Sequence, residues 1–539
     1  MNMSSIFNKS NYIAFFKTAR ETSFSTLVYR TITTIRDAIQ YPKWFQKQLP
    51  SEEILTKQRN NVFAYNPLIS IVVPTYCTPL PFLQELVQSV KEQTYSNWEL
   101  CIADASPIES EIRSILTHYH ETDARIKITL LEKNEGISGN TNHALKLSTG
   151  EYIGLLDHDD ILAPNTLYEI VHALNSNRSI DVIYTDEDKI DDETNIHYYP
   201  NFKPDFNRLL LQSCNYICHF FVFKRSIYNE IGEFDPSYDG SQDYNYILRA
   251  TKKAKCIYHI PKMLYHWRVH KGSVSGNPGQ KEYCYDAAKR SLQEYTNALG
   301  IQGNIEYSRL IGFYKTQYQA PVNCSVLICS FNKELIWEPH PNYSTEISFP
   351  NTLDEVINTL SDTTADYCII LNENIISFSK ENIEHTVSYF QLQDIGAIAY
   401  KLIFRSKVIS LGMTYQNQKI TGCYFSVPCN DAGFYGRALL DQYVPLCSPV
   451  AFACRQKEWK HFYQQYTNNH KHATNWQDFI MEFSLHLFSY NKKIAGIAQA
   501  ELHCKKNPPI YISKEFLQIN KEELQQVSKL YCVPPYYKG

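Results

Sequence analysis

The chain of 539 residues is long enough for two to four domains with substantial cores. Its net charge is −4, with 20% charged and 44% hydrophobic residues, so it resembles an ordinary globular protein and has no overall positive field for nucleic acid. Its 15 cysteines are scattered, form no C-x-x-C pair and often lie in apolar runs, which indicates reduced core thiols. No apolar run approaches the roughly 18 residues of a membrane-spanning helix, and the N-terminus lacks a signal-peptide pattern. These features predict a cytosolic protein without a transmembrane span.

The first 65 residues have a basic and aromatic character of their own. Seven Lys or Arg stand against only Glu21 and Asp37 in the first fifty positions. The aromatic and apolar residues interleaved with them are Phe7, Tyr12, Phe15, Phe16, Leu27, Trp44 and Phe45. Such a segment is able to lie on an anionic membrane surface. Its imperfect apolar spacing also fits an accessory helical region, residues 1–65, that packs on the next domain.

From Pro67 onward, strand patterns alternate with helix patterns. The run LISIVVPTY is apolar and β-branched throughout, as in a parallel strand buried on both faces. Pro79 and Pro81 then open a helix whose apolar residues recur at helical spacing. The later strands are WELCIADAS, IKITLLE, EYIGLLD and DVIYTDEDKI, and the helices between them are IESEIRSILTHYH, SGNTNHALKLST and NTLYEIVHALN. This alternation predicts an α/β fold with a mostly parallel sheet covered by helices on both faces.

Carboxylates follow three of the predicted strands. They are Asp104, the group Asp157, Asp159 and Asp160 in the stretch GEYIGLLDHDD, and the acids of residues 186–188. Ligands of such sheets bind at the carboxyl ends of the strands, so these acids predict a binding site at that edge. Ordinary acids in surface turns or at helix N-caps are the alternative.

The residues at this edge narrow the choice of ligand. The turn after the first strand, PTYCTPLP, contains no glycine, which disfavours a dinucleotide oxidoreductase and its glycine-rich phosphate loop. A divalent cation that bridges carboxylate and phosphate oxygens is the remaining way to hold a diphosphate near acids. Asp157 and Asp159 would supply oxygen ligands, which favour Mg²⁺ or Mn²⁺ over softer metals. Such a cation would also stabilise a departing nucleoside diphosphate.

Two later segments offer further candidates for chemistry. Asp243, in GSQDYNYILRA, is a candidate general base, although an acid in the first turn of a helix is its ordinary alternative. The stretch YHWRVHKGS brings together four basic or imidazole side chains, suited to a metal ligand and to phosphate contacts, or else to a solvated strand end. These are His266, Arg268, His270 and Lys271.

Many segments in order resemble family 2 glycosyltransferases of the GT-A fold, and most of all the branch involved in bacterial O-antigen and surface-polysaccharide assembly. The matching segments include PLISIVVPTYCTP, QTYSNWELCIADASP, NEGISGNTNHAL, STGEYIGLLDHDDILAPNTLYEI, VIYTDEDKID, FKPDFN, NYICHF, GSQDYNYILRA and HIPKMLYHWRVHKGS. The resemblance covers roughly residues 41 to 300. The GT-A fold is a Rossmann-like, mostly parallel sheet with helices on both faces.

The family implies an inverting transfer of a hexosyl or deoxyhexosyl group from a nucleotide-diphospho-sugar to a glycan or lipid-linked glycan acceptor, assisted by Mn²⁺ or Mg²⁺. Asp243 matches the general base, although Gln242 precedes it where many relatives carry Glu. Ala105 stands where many have a second Asp. The resemblance assigns the nucleotide-sugar to Pro74, Thr75, Tyr76, Asp104, Asn140, Asp157, His158 and Arg268. The expected metal ligands are Asp157, Asp159 and His266.

The second half repeats part of this pattern. CSVLICSFN restarts a buried strand, and DYCIILNENI echoes the earlier GEYIGLLDHDD. About half as many residues separate these two features as in the first copy, so nucleoside-binding βα units are missing. Asn372, Glu373 and Asn374 replace the paired aspartates, although Asp478 could imitate a base. A pseudo-enzyme module is favoured over a second active transferase.

The predicted domain order follows from these patterns. The accessory region 1–65 precedes a GT-A domain at 66–300, a linker at 301–320, a degenerate second GT-A-like domain at 321–505 and a tail at 506–539. A cytoplasmic location with peripheral contact at the inner face of the cytoplasmic membrane would suit such a protein. The competing class is a non-catalytic glycan-binding or scaffold protein built from decayed modules. A nucleotidyltransferase would need a glycine-rich phosphate loop that the first strand lacks.

Overall fold

The computed structural model describes residues 24–270, 282–468 and 475–537. These residues form two compact units. The N-terminal unit takes its described residues from 32–206, 215–299 and 534–539, and the C-terminal unit takes its own from 1–31, 207–214 and 300–533. Each unit contains one large sheet.

The first group of helices and strands runs to residue 298. In chain order they are α1 Phe24–Gln48, α2 Glu52–Arg59, β1 Ile69–Thr75, α3 Leu80–Lys91, β2 Trp98–Asp104, α4 Glu111–Thr122, β3 Ile126–Leu130, α5 Gly136–Leu147, β4 Tyr152–Leu155, β5 Ile161–Leu162, α6 Thr166–Ser176, β6 Val182–Asp191, β7 His197–Asn201, α7 Arg208–Ser213, β8 Phe221–Lys224, α8 Arg225–Ile231, α9 Gln242–Lys253, β9 Ile257–Val269 and α10 Glu282–Ala298.

The nine-stranded sheet of the N-terminal unit has the order β3-β2-β1-β4-β8-β6-β9-β5, with β7 paired to β6. Strands β3, β2, β1 and β4 are parallel. Strand β8 is antiparallel to both β4 and β6, so β6 runs in the same direction as β4, and β9 is parallel to β6. The prediction of a mostly parallel α/β sheet is therefore confirmed, and the carboxyl ends of β1, β2, β4 and β6 lie at one edge.

Apolar side chains of the central strands and two helices form the core of this unit. Strand β1 is buried along nearly its whole length, as its uninterrupted apolar sequence predicts. Helices α3 and α6 pack their apolar faces against the sheet. The residues of these two faces are Leu83, Leu86, Val87, Val90, Leu167, Ile170, Val171 and Leu174.

A buried carboxylate fastens the start of β4 to its neighbours. Glu99 of β2 accepts hydrogen bonds from the Ser70 hydroxyl (2.6 Å), the Thr149 hydroxyl (2.9 Å) and the Gly150 backbone N–H (3.1 Å), and Lys127 Nζ lies 2.6 Å from it. Burial alone would raise the pKa of Glu99, but Lys127 and these hydrogen bonds lower it to about 2. Glu99 thereby fixes the position at which β4 begins.

The C-terminal unit contains the remaining helices and strands. In chain order they are β10 Gly303–Tyr307, β11 Tyr314–Tyr318, β12 Ser325–Ser330, β13 Ile336–Trp337, β14 Ser344–Ser348, α11 Leu353–Asp362, β15 Tyr367–Leu371, β16 Ser377–Phe378, α12 Lys380–Tyr389, β17 Ile395–Phe404, β18 Lys407–Leu411, β19 Met413–Gln416, β20 Lys419–Gly422, β21 Gln442–Val444, β22 Ala451–Arg455, α13 Gln456–Asn468, α14 Trp476–Ser489, β23 Lys493–His503, α15 Lys514–Ile519 and α16 Lys521–Val527.

The sheet of this unit repeats the strand order of the first. Its path β14-β12-β15-β22-β17-β23 matches β2-β1-β4-β8-β6-β9 in order and in every parallel or antiparallel pairing. The repeat is shortened between its first strand and β15. It has no counterpart of α4 and β3, and the two-residue β13 occupies the stretch of chain where the first copy has α3. The counterpart of β2 is retained as β14, so the loss is smaller than the sequence suggests.

The structure departs from the predicted domain limits in several places. Residues 301–320, expected as a linker, contain the antiparallel hairpin β10–β11. Residues 506–533 are not a loose tail, because Phe516, Leu524 and Val527 of α15 and α16 lie in the core of the C-terminal unit. Helix α7 also belongs to this unit, although its sequence neighbours belong to the other. The sequence conceals this last exchange because α7 is short and its flanking residues match the N-terminal pattern.

The basic N-terminal region is described only from residue 24 onward. Tyr41 and Phe45 of α1 are buried within the N-terminal unit, whereas residues 24–31 of the same helix belong to the C-terminal unit. Phe7, Tyr12, Phe15 and Phe16 lie outside the described residues. Among the helices of the described chain, none is both long and apolar enough to cross a bilayer.

Replacing Glu99 by Gln should destabilise the N-terminal unit at neutral pH by about 1.5–3 kcal/mol, because a charged hydrogen-bond acceptor is lost. The pKa of Glu99 is lowered in the folded state, so its contribution is present above the unfolded pKa of about 4.3 and is lost as pH falls toward 2. Urea unfolding of wild type and Glu99→Gln between pH 7 and pH 2 measures this, and the gap between them should shrink below pH 4.5. A gap independent of pH would contradict the assignment.

Candidate active site

The turn after β4 carries three carboxylates, and the end of β9 supports it. The deepest carboxylate, Asp160, is fully buried. It accepts hydrogen bonds from the Tyr265 hydroxyl and from the Arg268 backbone N–H (2.7 Å). Burial, followed by the charges of Asp159 and Asp157, raises the pKa of Asp160 well above its usual range. Asp160 is therefore part of the packing that holds the turn, unlike an acid in an ordinary surface turn.

The other two aspartates of the turn remain accessible. The Asp159 carboxylate lies 3.0 Å from His270 Nε2. The Asp157 side chain is 47% exposed, and its Oδ2 atom lies 3.8 Å from His219 Nε2. Ligand atoms of Asp157, Asp160 and His219 all lie within 4.8 Å of one another. Asp160 is already engaged by Tyr265 and Arg268, so the donors that remain are the carboxylates of Asp157 and Asp159 with the imidazoles of His219 and His270 beside them. Carboxylate oxygens and imidazole nitrogens fit a divalent cation such as Mn²⁺ or Mg²⁺.

His266, proposed from the sequence as a metal ligand, lies in a different cluster. Its Nδ1 atom is 2.6 Å from Asp188, which also contacts His197 Nδ1 (2.9 Å) and the Tyr41 hydroxyl (2.5 Å). Adjacent residues in a strand point to opposite faces, and Tyr265 is the one that points toward the turn after β4. The histidine beside Asp159 is His270. Ligand atoms of Asp188, His197 and His266 all lie within 4.8 Å of one another, so His266 belongs to a second group that could hold a metal ion, separate from the turn after β4.

Arg268, expected to contact phosphate, is a buried brace. Its side chain is 1% exposed, and its Nε donates to the Asp159 carbonyl at 2.9 Å. The guanidinium also contacts the Glu85 carboxylate and lies 4.7 Å above the Phe82 ring. These contacts connect β9, α3 and the carboxylate turn. The sequence displays the positive charge of Arg268 but gives no indication that it is buried. Lys271, its neighbour in the predicted basic cluster, lies outside the described residues.

The ends of β1 and β2 form a second part of the edge. Asp104 is buried, and its Oδ1 atom accepts hydrogen bonds from the hydroxyls of Thr75 (2.8 Å) and Ser106 (2.7 Å). Its Oδ2 atom lies 3.5 Å from Arg113 Nε and has no hydrogen-bond donor among the described residues. Pro74 precedes Thr75, and the exposed Tyr76 follows it. An oriented carboxylate beside an exposed aromatic ring is suited to a nucleoside.

The two remaining predicted nucleotide-sugar residues have local structural partners. Asn140 is buried in α5, where its amide accepts from the Glu135 N–H (3.1 Å) and donates to the Asn134 side chain (2.9 Å). Asn140 therefore shapes the loop before α5 and has both ends of its amide engaged. His158 Nδ1 lies 3.1 Å from the Thr78 hydroxyl, which ties the carboxylate turn to the loop after β1.

Asp243 lies in the first turn of α9. This position fits both a general base and the ordinary alternative, an acid that interacts with the start of a helix. Its Oδ2 atom accepts a hydrogen bond from the Asn215 amide at 2.8 Å. Burial raises the pKa of Asp243, the charge of nearby His219 opposes the increase, and the charge of Asp157 adds to it. A carboxyl group with a raised pKa close to the carboxylate turn after β4 is suited to proton transfer.

His219 is the site residue that the sequence did not single out. Its ring stacks on Tyr265 with 4.7 Å between centroids, and its backbone N–H donates to Glu187 at 3.1 Å. The next residue, Phe220, packs so closely on β4 that a Cβ at Gly154 would lie 2.4 Å from its ring. His219 stands in the segment NYICHF, but no spacing rule relates that segment to Asp157 and Asp243.

The corresponding turn of the C-terminal unit has different chemistry. Asn372 accepts the Asn374 backbone N–H at 2.9 Å, and the buried Asn374 amide donates to Glu373 at 3.2 Å. Both oxygens of Asp478 accept hydrogen bonds, from the Ser513 backbone N–H and the Asn475 amide, each at 3.0 Å. The polar side chains of this turn, and the Asp478 carboxylate, thus have hydrogen-bond partners within the unit, which favours the pseudo-enzyme interpretation.

The strand order and the carboxylate turn define the N-terminal unit as a GT-A-type α/β unit. Residues 70–232 match the model of glycosyl transferase family 2, so the chain carries a domain of this family. The resemblance recognised in the sequence is thereby confirmed.

Several curated relatives match slightly less than half of the chain. They include an uncharacterised protein of Sinorhizobium fredii (40% identical over 231 residues, 42% of this chain and 25% of the relative), the O-antigen biosynthesis protein RfbC of Myxococcus xanthus (28% over 265 residues, 49% and 21%) and the chondroitin synthase of Escherichia coli (30% over 247 residues, 45% and 34%). The chain spans about a third or less of the length of these relatives.

Similar solved structures include S. aureus TarS residues 1–349 in complex with UDP-GlcNAc, at 19% identity and a TM-score of 0.36, over 42% of this chain and 66% of that one. A second is a mannosyltransferase of Pyrobaculum calidifontis in complex with GDP-Man and Mn²⁺, at 17% identity and a TM-score of 0.32, over 46% and 69%.

Replacing Arg268 by Lys should lower the unfolding free energy by about 1–3 kcal/mol, because one ammonium cannot satisfy both the Asp159 carbonyl and Glu85. Urea unfolding measures the change, and the exposed Arg178→Lys is the matched control. If Arg268 bound phosphate instead, the variant would keep wild-type stability and lose only affinity for nucleoside diphosphates. That result would overturn the brace assignment.

Proposed function

We propose that the N-terminal unit transfers a hexosyl or deoxyhexosyl group from a nucleotide-diphospho-sugar to a hydroxyl of a bacterial surface glycan, with inversion at the anomeric carbon. The observation that carries the proposal is the convergence of Asp157, Asp159 and Asp243 at the edge of a family 2 domain. Asp157 and Asp159 follow β4, and Asp243 opens α9. The segment before β8 connects them, because Asn215 donates to Asp243 at 2.8 Å and His219 Nε2 lies 3.8 Å from Asp157 Oδ2.

The donor site follows from the edge of the sheet. Asp104, Thr75, Pro74 and Tyr76 would hold the nucleoside. Mn²⁺ or Mg²⁺ would be held by Asp157, Asp159 and His270, and when bound it supplies positive charge for the departing diphosphate. Asp160, whose pKa is raised by burial and by its two neighbours, would stay with Tyr265 and the Arg268 backbone. His158 would lie beside the donor, attached to the loop after β1.

Asp243 would act as the general base. Its carboxylate accepts the proton of the acceptor hydroxyl while that oxygen attacks the anomeric carbon on the face opposite the departing diphosphate. Burial raises its pKa, which brings its basicity closer to neutral pH. The Asn215 amide, 2.8 Å from Oδ2, would orient the carboxylate toward the acceptor.

The relatives guide the choice of acceptor and location. RfbC of Myxococcus xanthus is named for O-antigen biosynthesis, which supports a surface glycan or lipid-linked glycan as the acceptor here. All 15 cysteines are described and are free thiols, which supports a reducing cytoplasmic compartment. Peripheral contact at the inner membrane face would come from the basic, aromatic N-terminal sequence. The C-terminal unit would be non-catalytic, because Asn372 and Asn374 replace the paired aspartates.

Donor binding should depend on metal. In a thermal-shift screen of nucleoside diphosphates, we expect one or two to stabilise the protein with Mn²⁺ and not with chelator. Asp157→Ala and Asp159→Ala should abolish the shift, and His270→Ala should weaken it. His266→Ala should lower the melting temperature without altering the metal requirement. The exposed Asp192→Asn is the matched control, and equal shifts in chelator would contradict the proposal.

Transfer should require the Asp243 carboxylate. Asp243→Asn should retain metal-dependent nucleotide binding but lose turnover by about 10²- to 10⁴-fold. Turnover is measured as release of the nucleoside diphosphate from the donor that the screen identifies. In wild type, turnover should fall as pH decreases through a pKa above 3.8, because the base must be ionised and its pKa is raised. Full turnover by Asp243→Asn would end the assignment.

A further inference from the structure

Beyond the catalytic residues, strands β6, β7 and β9 carry a second group of side chains. Lys189 of β6 is paired in register with Trp267 of β9 and with Tyr198 of β7. The Lys189 ammonium lies 4.9 Å from the centroid of the Trp267 ring and 5.2 Å from that of Tyr199. We name Lys189, Trp267 and Tyr199 the aromatic platform.

Both rings of the platform have solvent-accessible surface. Tyr199 is 57% exposed, and Trp267 is only partly buried. Tyr199 also adopts a left-handed backbone conformation, with φ at 49°, which an aromatic residue rarely takes. An exposed ring held in a costly conformation is more typical of a binding surface than of a core.

The platform adjoins the catalytic residues. Trp267 lies two positions after Tyr265 in β9, so both side chains share one face of the strand, about 7 Å apart along it. His219, which stacks on Tyr265, has its ring 5.8 Å from that of Trp267 in an edge-on arrangement. A saccharide on Trp267 would therefore lie close to Asp157, near which His219 is located.

The charge of the platform selects among saccharides. Within the described chain, no carboxylate lies within the 4.0 Å ion-pair distance of the Lys189 ammonium. Burial lowers the pKa of Lys189, an effect that nearby Glu187 partly offsets. A partly desolvated cation held by aromatic rings is a favourable partner for an anionic group on a ligand. The apolar faces of sugar rings also pack well against aromatic side chains.

We propose that Trp267, Tyr199 and Lys189 form the acceptor subsite and bind a saccharide that carries a carboxylate or a phosphate. The sugar ring packs on Trp267 and Tyr199, and its anionic group pairs with the Lys189 ammonium. This inference rests on the proposed glycosyltransferase function and specifies the class of its acceptor. The alternative is that Lys189 and the two rings have no ligand and only stabilise the surface of the sheet.

Saturation-transfer NMR titrations of the full-length protein test the subsite. The probes are short oligosaccharides containing hexuronic acid, the same oligosaccharides with their carboxyl groups reduced to alcohols, and phosphate-bearing oligosaccharides. We expect an acidic probe to bind at least about tenfold more tightly than its neutral counterpart. The comparison of the carboxylate and phosphate probes identifies the source of the charge.

Variants assign the affinity to the platform. Lys189→Gln should remove the preference for the acidic probe, and Trp267→Ala should weaken all probes by about tenfold or more. Trp267→Phe keeps a ring and should recover part of the affinity, which separates stacking from misfolding. The matched controls, Tyr258→Ala on the same strand and Lys252→Gln on α9, are exposed and should bind like wild type.

The metal-dependent shift with a nucleoside diphosphate, measured on the same samples, separates the two proposals. A normal shift without binding of any probe, or with equal binding of acidic and reduced probes, would overturn the acceptor subsite and leave the transferase proposal standing. Acidic preference that survives Lys189→Gln would overturn it as well. Absence of the nucleotide shift in wild type would count against the transferase proposal itself.

Discussion

Crowding of negative charge in the turn after β4 is the constraint on which the N-terminal unit depends. Three aspartates within four positions repel one another, and each of them has a different environment in the fold. Asp160 is buried with a raised pKa against Tyr265 and the Arg268 backbone. Asp159 faces His270, and Asp157 remains half-exposed near His219. The contacts of Asp160 with β9 therefore hold the turn in the conformation in which Asp157 and Asp159 remain accessible to a ligand.

The sequence predicted the elements whose formation depends on the spacing of apolar residues along the chain. The buried strand β1, the amphipathic helix α3 and the acids at the strand ends all follow from periodicity and strand position. The partner of Asp159 did not follow, because His270 lies beyond the end of β9 at Val269, where strand alternation no longer determines which way a side chain points. Burial of Arg268 and Asn140 was likewise invisible, since side-chain exposure is a tertiary property.

The two units show how much of a fold survives loss of its site. Their sheets share six strands in the same order and directions. In the C-terminal unit, Asn372 and Asn374 replace the paired aspartates, and Asp478 is engaged by its own neighbours. Packing thus tolerates replacement of polar residues at strand ends, whereas metal binding would not.

The central claim is that Asp157, Asp159 and His270 hold one divalent cation against the diphosphate of the donor. Anomalous diffraction from crystals of the full-length protein soaked with nucleotide-diphospho-sugar and Mn²⁺ tests it most directly. The account predicts one strong anomalous peak within coordination distance of those three side chains and of the donor phosphates. A donor bound with no peak there, or a peak at Asp188 and His266 instead, would contradict it.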